Sequence, residues 1–308
     1  MLPPAGPCRL RTVIERFRER PVTTAVVCDS TSYLPPELLA ERGIEQISLY
    51  VTVDGDQRRE TEIDDYDAFF ARIRASKDGA TTSQPSVGDF IASYQRHLDA
   101  GREIASIHLS AGISGTFESA VQARARLIDE GADPKGIRVY DSRSACGGLA
   151  LPVLAAAKAA AAGGSAAEAV EAAAELREQM KIWFALDTLE YVRRGGRIGF
   201  VGAWLGSALQ VKPILTLEEQ LTPVERVRTR RRVLSRLLDF ARELNEAGRD
   251  GWVVQHIQDA DSAELLVEEA SRIFGCDPLF VSEVGPVIGA HAGPGLLGIG
   301  AAPRELAV

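Results

Sequence analysis

From Thr23 onward, short apolar runs alternate with longer amphipathic stretches, the pattern of strands followed by helices in an α/β fold. TAVVCD predicts a strand, DSTS a polar turn, and PPELLAERG a helix opened by proline and closed by Gly43. IEQISLYVTV reads as the next strand. A second unit runs from the strand EIASIHLS through the turn AGISGT into the helix FESAVQARARLIDEG, and a third from IRVYD through SRSACGG into LALPVLAAAKAAAA. These strands end in hydroxyl-rich turns. In a doubly wound, mainly parallel sheet with helices on both faces, such turns share the carboxyl edge, where ligands bind in open α/β folds.

The stretch AAGGSAAEA breaks an alanine-rich helical region at Gly163 and Gly164, with Ser165 placed to cap the next helix. The domain boundary is expected there, giving an extension over 1–22, an N-terminal α/β domain over 23–164 and a C-terminal α+β domain over 165–308. In the second domain, a helix through Met180 leads to IWFAL, the turn RRGGRIG and the strand-like KPILTLEE and QLTPVERVRT. A helix from about Arg231 to Glu246, the strand GWVVQHI and a helix over SAELLVEEASRIF follow.

Charge and composition narrow the function. A net charge of -8 argues against broad attraction to nucleic acid or anionic membranes. RVRTRRRVLSRL concentrates Arg226, Arg228, Arg230, Arg231, Arg232 and Arg236 in this acidic chain, but without interleaved aromatics it reads as a solvated face or a docking patch. Cys8, Cys28, Cys146 and Cys276 are far apart and form no CxxC pair, so neither a metal site nor a disulfide framework is signalled and a reducing cytoplasm is expected. The first residues lack the apolar core of a secretory signal, and LALPVLAAAKAAAA is too short to span a bilayer.

Three segments carry candidate chemistry. In SGT, Ser114, Gly115 and Thr116 stand between a strand and a helix, where a hydroxyl and free N–H groups either cap the helix or hold an anion. TTSQPS, with Thr82, reads as a turn, because proline disfavours helix at the residue before it. GPVIGAHAGPGLLGIG places His291 in a glycine-rich loop that permits close approach of a ligand. His97, His108 and His256 read as structural.

The ordered set DSTSYLP, TTSQPSVGDF, SAGISGTFESA, YDSRSACGGLAL, LEYVRRGGRIG, VKPIL and GPVIGAHAGPGLLGIG resembles the DegV family of bacterial fatty-acid-binding proteins, over nearly everything from Val26 to Gly300. The resemblance implies two domains with a long-chain fatty acid in a tunnel between them. It also implies a partner, a separate ATP-dependent fatty acid kinase whose acyl phosphate product feeds phospholipid synthesis, and no cofactor of the chain's own. Carried onto matching positions, Thr82, Ser114 and His291 become carboxylate ligands, with the Gly115 amide beside them, and Arg197 and Arg228 become kinase-docking residues. The sequence departs from the pattern at Val87, Ala111, Phe117 and Gln220, which bears on acyl preference and on one hairpin.

Two other readings compete. Ser114, His291 and an acid such as Asp29 are the ingredients of a serine hydrolase of acyl substrates, but GISGT lacks the glycine spacing of a nucleophile elbow. A self-sufficient kinase needs a phosphate-binding GxxxxGK[ST] loop, which the chain lacks.

Overall fold

The computed structural model describes residues 23–77, 79–204 and 211–308. The expected extension over 1–22, with Cys8, lies outside the described residues. In chain order the elements are β1 (Thr24–Asp29), α1 (Pro36–Arg42), β2 (Ile44–Ile47), β3 (Tyr50–Val53), β4 (Asp56–Arg59), α2 (Tyr66–Ala75), β5 (Ala80–Ser83), α3 (Val87–Asp99), β6 (Glu103–His108), α4 (Thr116–Asp129), β7 (Ile137–Asp141), α5 (Gly147–Ala161) and α6 (Ala166–Gln179). The chain continues through β8 (Lys181–Ala185), α7 (Glu190–Arg194), β9 (Lys212–Glu218), β10 (Gln220–Val227), α8 (Arg230–Glu246), β11 (Gly251–His256), α9 (Ala260–Phe274), β12 (Phe280–Glu283), α10 (Pro286–Ala292), β13 (Leu297–Ala302) and α11 (Arg304–Ala307).

The predicted strand–turn–helix units build a four-stranded sheet in the order β2-β1-β6-β7. All of its pairings are parallel, and helices lie on both faces. A second, six-stranded sheet runs β10-β9-β8-β13-β11-β12, antiparallel except between β11 and β12. Its α8 and α9 present apolar stripes that include Val233, Leu237 and Leu266 to one face. The fold is thus mixed α/β with a parallel sheet and a second sheet-rich domain.

Between the two sheets lies α5. Every residue from Gly147 to Ala157 is buried, the pattern of a helix packed on all sides. It touches β1 and β6 of the parallel sheet and β8, β11 and β13 of the second sheet. Alanine is what that position requires: a longer side chain at Ala155 or Ala156 would overpack the layer at a cost of about 1–3 kcal/mol.

Three local expectations need correction. IEQISLYVTV is two strands, because Ser48 and Leu49 carry the chain out of the parallel sheet into a three-stranded sheet ordered β4-β3-β5. There the Ser48 hydroxyl donates to the Leu49 carbonyl and accepts the Thr61 N–H. TTSQPS begins as a strand: Ala80–Ser83 pairs antiparallel with β3, Thr82 opposite Val51, and the polar residues suit a half-exposed edge. His291 lies on a helix, α10, opened by Pro286, and not in an open loop.

The domain boundary is a separate question. Ser165 does cap α6, in a capping box with Glu168. Yet α6 packs on α5 and on β1, β6 and β7, so Gly163 and Gly164 form a turn between two helices of one layer. We propose that the division of the chain lies at Met180, where α6 ends and β8 begins, rather than at Gly164.

Candidate functional site

A cavity of about 1030 Å³, counted with its open mouth, lies between the two sheets. Its polar side chains are Thr82, Ser114, Arg197, Gln255 and His291, together with the Cys146 thiol; the remaining lining is aliphatic, aromatic or glycine. Gly147 and Gly148 at the start of α5 form part of one wall, and Gly298 and Gly300 of β13 part of another. A Cβ at Gly147, Gly148 or Gly300 would collide with Val253, Ser144 or Ile182, so these glycines let neighbouring side chains pack close against the walls.

Thr82 and His291 meet directly. Thr82 Oγ1 is 2.7 Å from His291 Nε2, which joins β5 to α10 across 209 residues of chain. The other ring nitrogen, Nδ1, is buried and has no hydrogen-bond partner among the described residues. It leans on Gly195, where any Cβ would collide with it. Burial, with the Arg197 charge as a second cause, pushes the ring down to about 4, so His291 is neutral at pH 7.

Ser114 sits in the loop between β6 and α4. Its backbone N–H bonds to Ser110 O, and its hydroxyl lies 2.9 Å from Thr116 Oγ1 and accepts the Thr116 N–H. The cap position of α4 is Gly115, which makes no side-chain cap. Among the described residues the Gly115 N–H has no acceptor. A side chain at Gly115 would meet Gln84 Nε2 at 2.6 Å, so this glycine brings the end of the TTSQ segment against the start of α4.

Arg197 belongs to the cavity wall as well. Its guanidinium donates to the carbonyls of Ile113 and Gly195, which ties the RRGG turn to the Ser114 loop. Arg228 is exposed and does not line the cavity. It follows the last residue of β10, whose opposite end holds the cavity residue Leu221; at about 3.3 Å per residue the two lie roughly 20 Å apart. The two arginines therefore do not form one cluster.

The hydrolase set is not assembled. Asp29 accepts hydrogen bonds from the Thr31 N–H and hydroxyl and from the Leu109 N–H, and its Oδ2 lies 3.2 Å from His108 Nδ1. His108 Nε2 is in turn 2.7 Å from Ser106 Oγ. This Asp–His–Ser chain is fully buried and contacts neither Ser114 nor His291. Of the three hydroxyl-rich turns, the one after β1 is consumed by internal bonds, and Ser114 and Cys146 carry the other two to the cavity.

Sequence reasoning did not single out Gln255, which donates from Nε2 to Ser32 O and Ser282 Oγ and lines the cavity, nor Cys146, whose thiol is pushed far up by burial and by the nearby Glu60 and Asp29 charges. A lone glutamine in the strand GWVVQHI is a usable signal, since a polar residue at a core position needs partners.

Residues 23–304 match a family model described as "Uncharacterised protein, DegV family". The chain belongs to the DegV family. It is 39% identical over 278 residues to a DegV domain-containing protein of Streptomyces coelicolor, covering 89% of this chain and 96% of that one. Protein DegV of Bacillus subtilis is 34% identical over 281 residues, covering 89% and 97%. Two solved DegV structures superpose at a TM-score of 0.81 over 91% of this chain and 99% of theirs, a Thermus thermophilus protein at 31% identity and the Bacillus subtilis protein at 32%. The first is described by its fatty acid binding and the second as a fatty acid binding protein. Fatty acid binding is thus a property of DegV family proteins.

Proposed function

We propose that this protein encloses one long-chain fatty acid, with its carboxylate at Thr82, Ser114 and the Gly115 N–H and its tail in the apolar cavity. The observation that carries the reading is the lining of that cavity, in which Thr82 bonded to His291, and Ser114 beside Arg197 bonded to Ile113, stand in a mainly apolar wall. A carboxylate needs donors when it leaves water, and a tail needs only apolar surface. His291 acts through Thr82. A neutral ring with its proton on Nε2 donates to Thr82 Oγ1, and the threonine hydroxyl is then free to donate to the ligand.

Each buried methylene contributes about 0.8 kcal/mol, so the tail provides most of the affinity. Native mass spectrometry of the purified protein tests this directly: one fatty acid per chain is expected. Empty protein that takes up no added fatty acid removes the reading.

The bound carboxylate is the substrate of a separate ATP-dependent kinase in this reading. A carboxylate oxygen attacks the γ-phosphorus of ATP, ADP leaves, and the acyl phosphate proceeds to phospholipid synthesis. Arg197 is the docking candidate nearest the headgroup, and Arg228, exposed and without a partner among the described residues, is the distal one. With loaded protein, kinase and ATP, Arg228→Ala should lower turnover and leave fatty-acid affinity unchanged. Arg197→Ala should lower both, because that arginine lines the cavity. Unchanged turnover in both variants excludes them from the interface.

A further inference from the structure

Glu60 is a buried carboxylate, 2% exposed, that does not line the cavity. It opens the short 3-10 turn Glu60–Glu62 after β4. Its Oε2 accepts the Ser30 hydroxyl at 2.5 Å, and its Oε1 accepts the Tyr33 hydroxyl at 2.8 Å and the Val287 N–H at 2.7 Å. Tyr33 Oη accepts the next α10 amide, from Ile288, at 3.1 Å. One carboxylate therefore fixes two successive amides of α10, one directly and one through a tyrosine.

Those two amides matter because of what α10 carries. Val287, Ile288 and His291 all line the cavity, and Val287 and His291, four residues apart, share a helix face. With seven residues, α10 is too short to hold its own shape in isolation. Glycines in it and just before it abut aromatic rings: a Cβ at Gly289 would strike Phe70, and one at Gly285 would strike Tyr33 and Tyr66. Van der Waals contacts of this kind carry little directional preference, whereas hydrogen bonds to Glu60 set direction and depth.

We propose that Glu60 is the positioning residue of the headgroup site, holding α10 so that His291 Nε2 meets Thr82. The proposal rests on the fatty-acid reading above and specifies what keeps its polar end in register. The titratable groups that interact with Glu60 are Asp29 at the end of β1, Tyr33 in the turn after it, Tyr66 on α2 and Cys146 before α5. Burial raises Glu60 to about 7, against the opposing pull of its three donors. Its ionisation therefore falls well above the titration of His291 itself, at about 4.

The test reads His291 without any fatty acid. In unliganded protein with 15N-labelled histidine, the His291 signals are identified by their loss in His291→Gln. They should show a step near pH 7 in wild type, and Glu60→Gln should abolish it and shift the Nε2 resonance. Fatty-acid affinity of Glu60→Gln should fall roughly five-fold, the effect of about one hydrogen bond, with less loss for a fatty alcohol of equal length. Tyr33→Phe, which keeps the ring but removes the hydroxyl that donates to Glu60 and accepts from Ile288 while leaving the Glu60–Val287 bond in place, should move the same signals by a smaller amount and serves if Glu60→Gln does not fold. Identical His291 signals and titration in both variants and wild type overturn the proposal. Shifted His291 signals with unchanged fatty-acid affinity support the positioning role and overturn the headgroup assignment instead.

Discussion

Two histidines in this protein lie beside hydroxyls at 2.7 Å, His108 beside Ser106 and His291 beside Thr82, and their surroundings separate them. His108 is fully buried, with a carboxylate at one ring nitrogen and a hydroxyl at the other, and Tyr94 extends the chain by donating to Ser106. No polar valence of the His108 ring is left for a ligand. His291 has one ring nitrogen without a partner among the described residues, sits on the wall of the cavity and stands beside the half-exposed Thr82. Residue types alone favour the first set as machinery, because it has the composition of a catalytic triad. Access decides against it: the complete network is closed within the core, and the incomplete one faces the cavity.

The largest expected effect breaks the closed network. His108→Ala leaves Asp29 buried with one partner fewer and opens a void beside Phe90, which packs edge-on against the imidazole. It should cost about 3 kcal/mol or more of stability by denaturant unfolding, with fatty-acid affinity of the remaining folded protein close to wild type. Equal losses of affinity in His108→Ala and His291→Ala would erase the distinction between the two histidines.

Next come the open-site variants. Thr82→Val, Ser114→Ala and His291→Ala should each weaken fatty-acid binding by about 1–3 kcal/mol by calorimetric titration, since each deprives the carboxylate of a donor or of the group that orients one. Their unfolding midpoints should move little. Wild-type affinity in all three folded variants would place the headgroup elsewhere.

The smallest effect is a titration. His291 is depressed from 6.5 to about 4 by burial and by Arg197, so its neutral form contributes stability that is complete above about pH 6.5 and lost as pH falls through about 4. A bound carboxylate is an opposite charge and should raise the midpoint of the His291 ring signals. A midpoint unmoved by fatty acid would mean that the carboxylate binds away from the ring.

Much of the fold is legible in the sequence because its signals are local. TAVVCD, EIASIHLS and IRVYD are apolar strands followed by polar turns, and all three pair in the parallel sheet. Ser165 announces the start of α6 through its capping box. The segments that carry the site are less legible, since packing rather than propensity forms them. Ala80–Ser83 is a strand because β3 offers it a partner, although ATTS has little apolar character. PVIGAHA becomes a helix against Phe70 and beneath Glu60, despite the surrounding glycines that argue for a loop. Glu60 itself, within RRETEIDD, looks like any acid in a charged turn, and only the fold reveals that it is buried. The motif order identified Thr82, Ser114 and His291 as members of one set, and the cavity brings all three to a common space. No local pattern states that Arg197 faces the cavity and Arg228 lies at the far end of β10.

A crystal structure with a fatty acid brominated at its terminal carbon tests the central claim most directly, because the anomalous signal of bromine fixes the direction of the chain. The account predicts a carboxylate within hydrogen-bond distance of Thr82 and Ser114, and a bromine inside the apolar cavity between α5 and β13. Bromine beside His291 with the carboxylate in the interior, or a ligand outside this cavity, would contradict it.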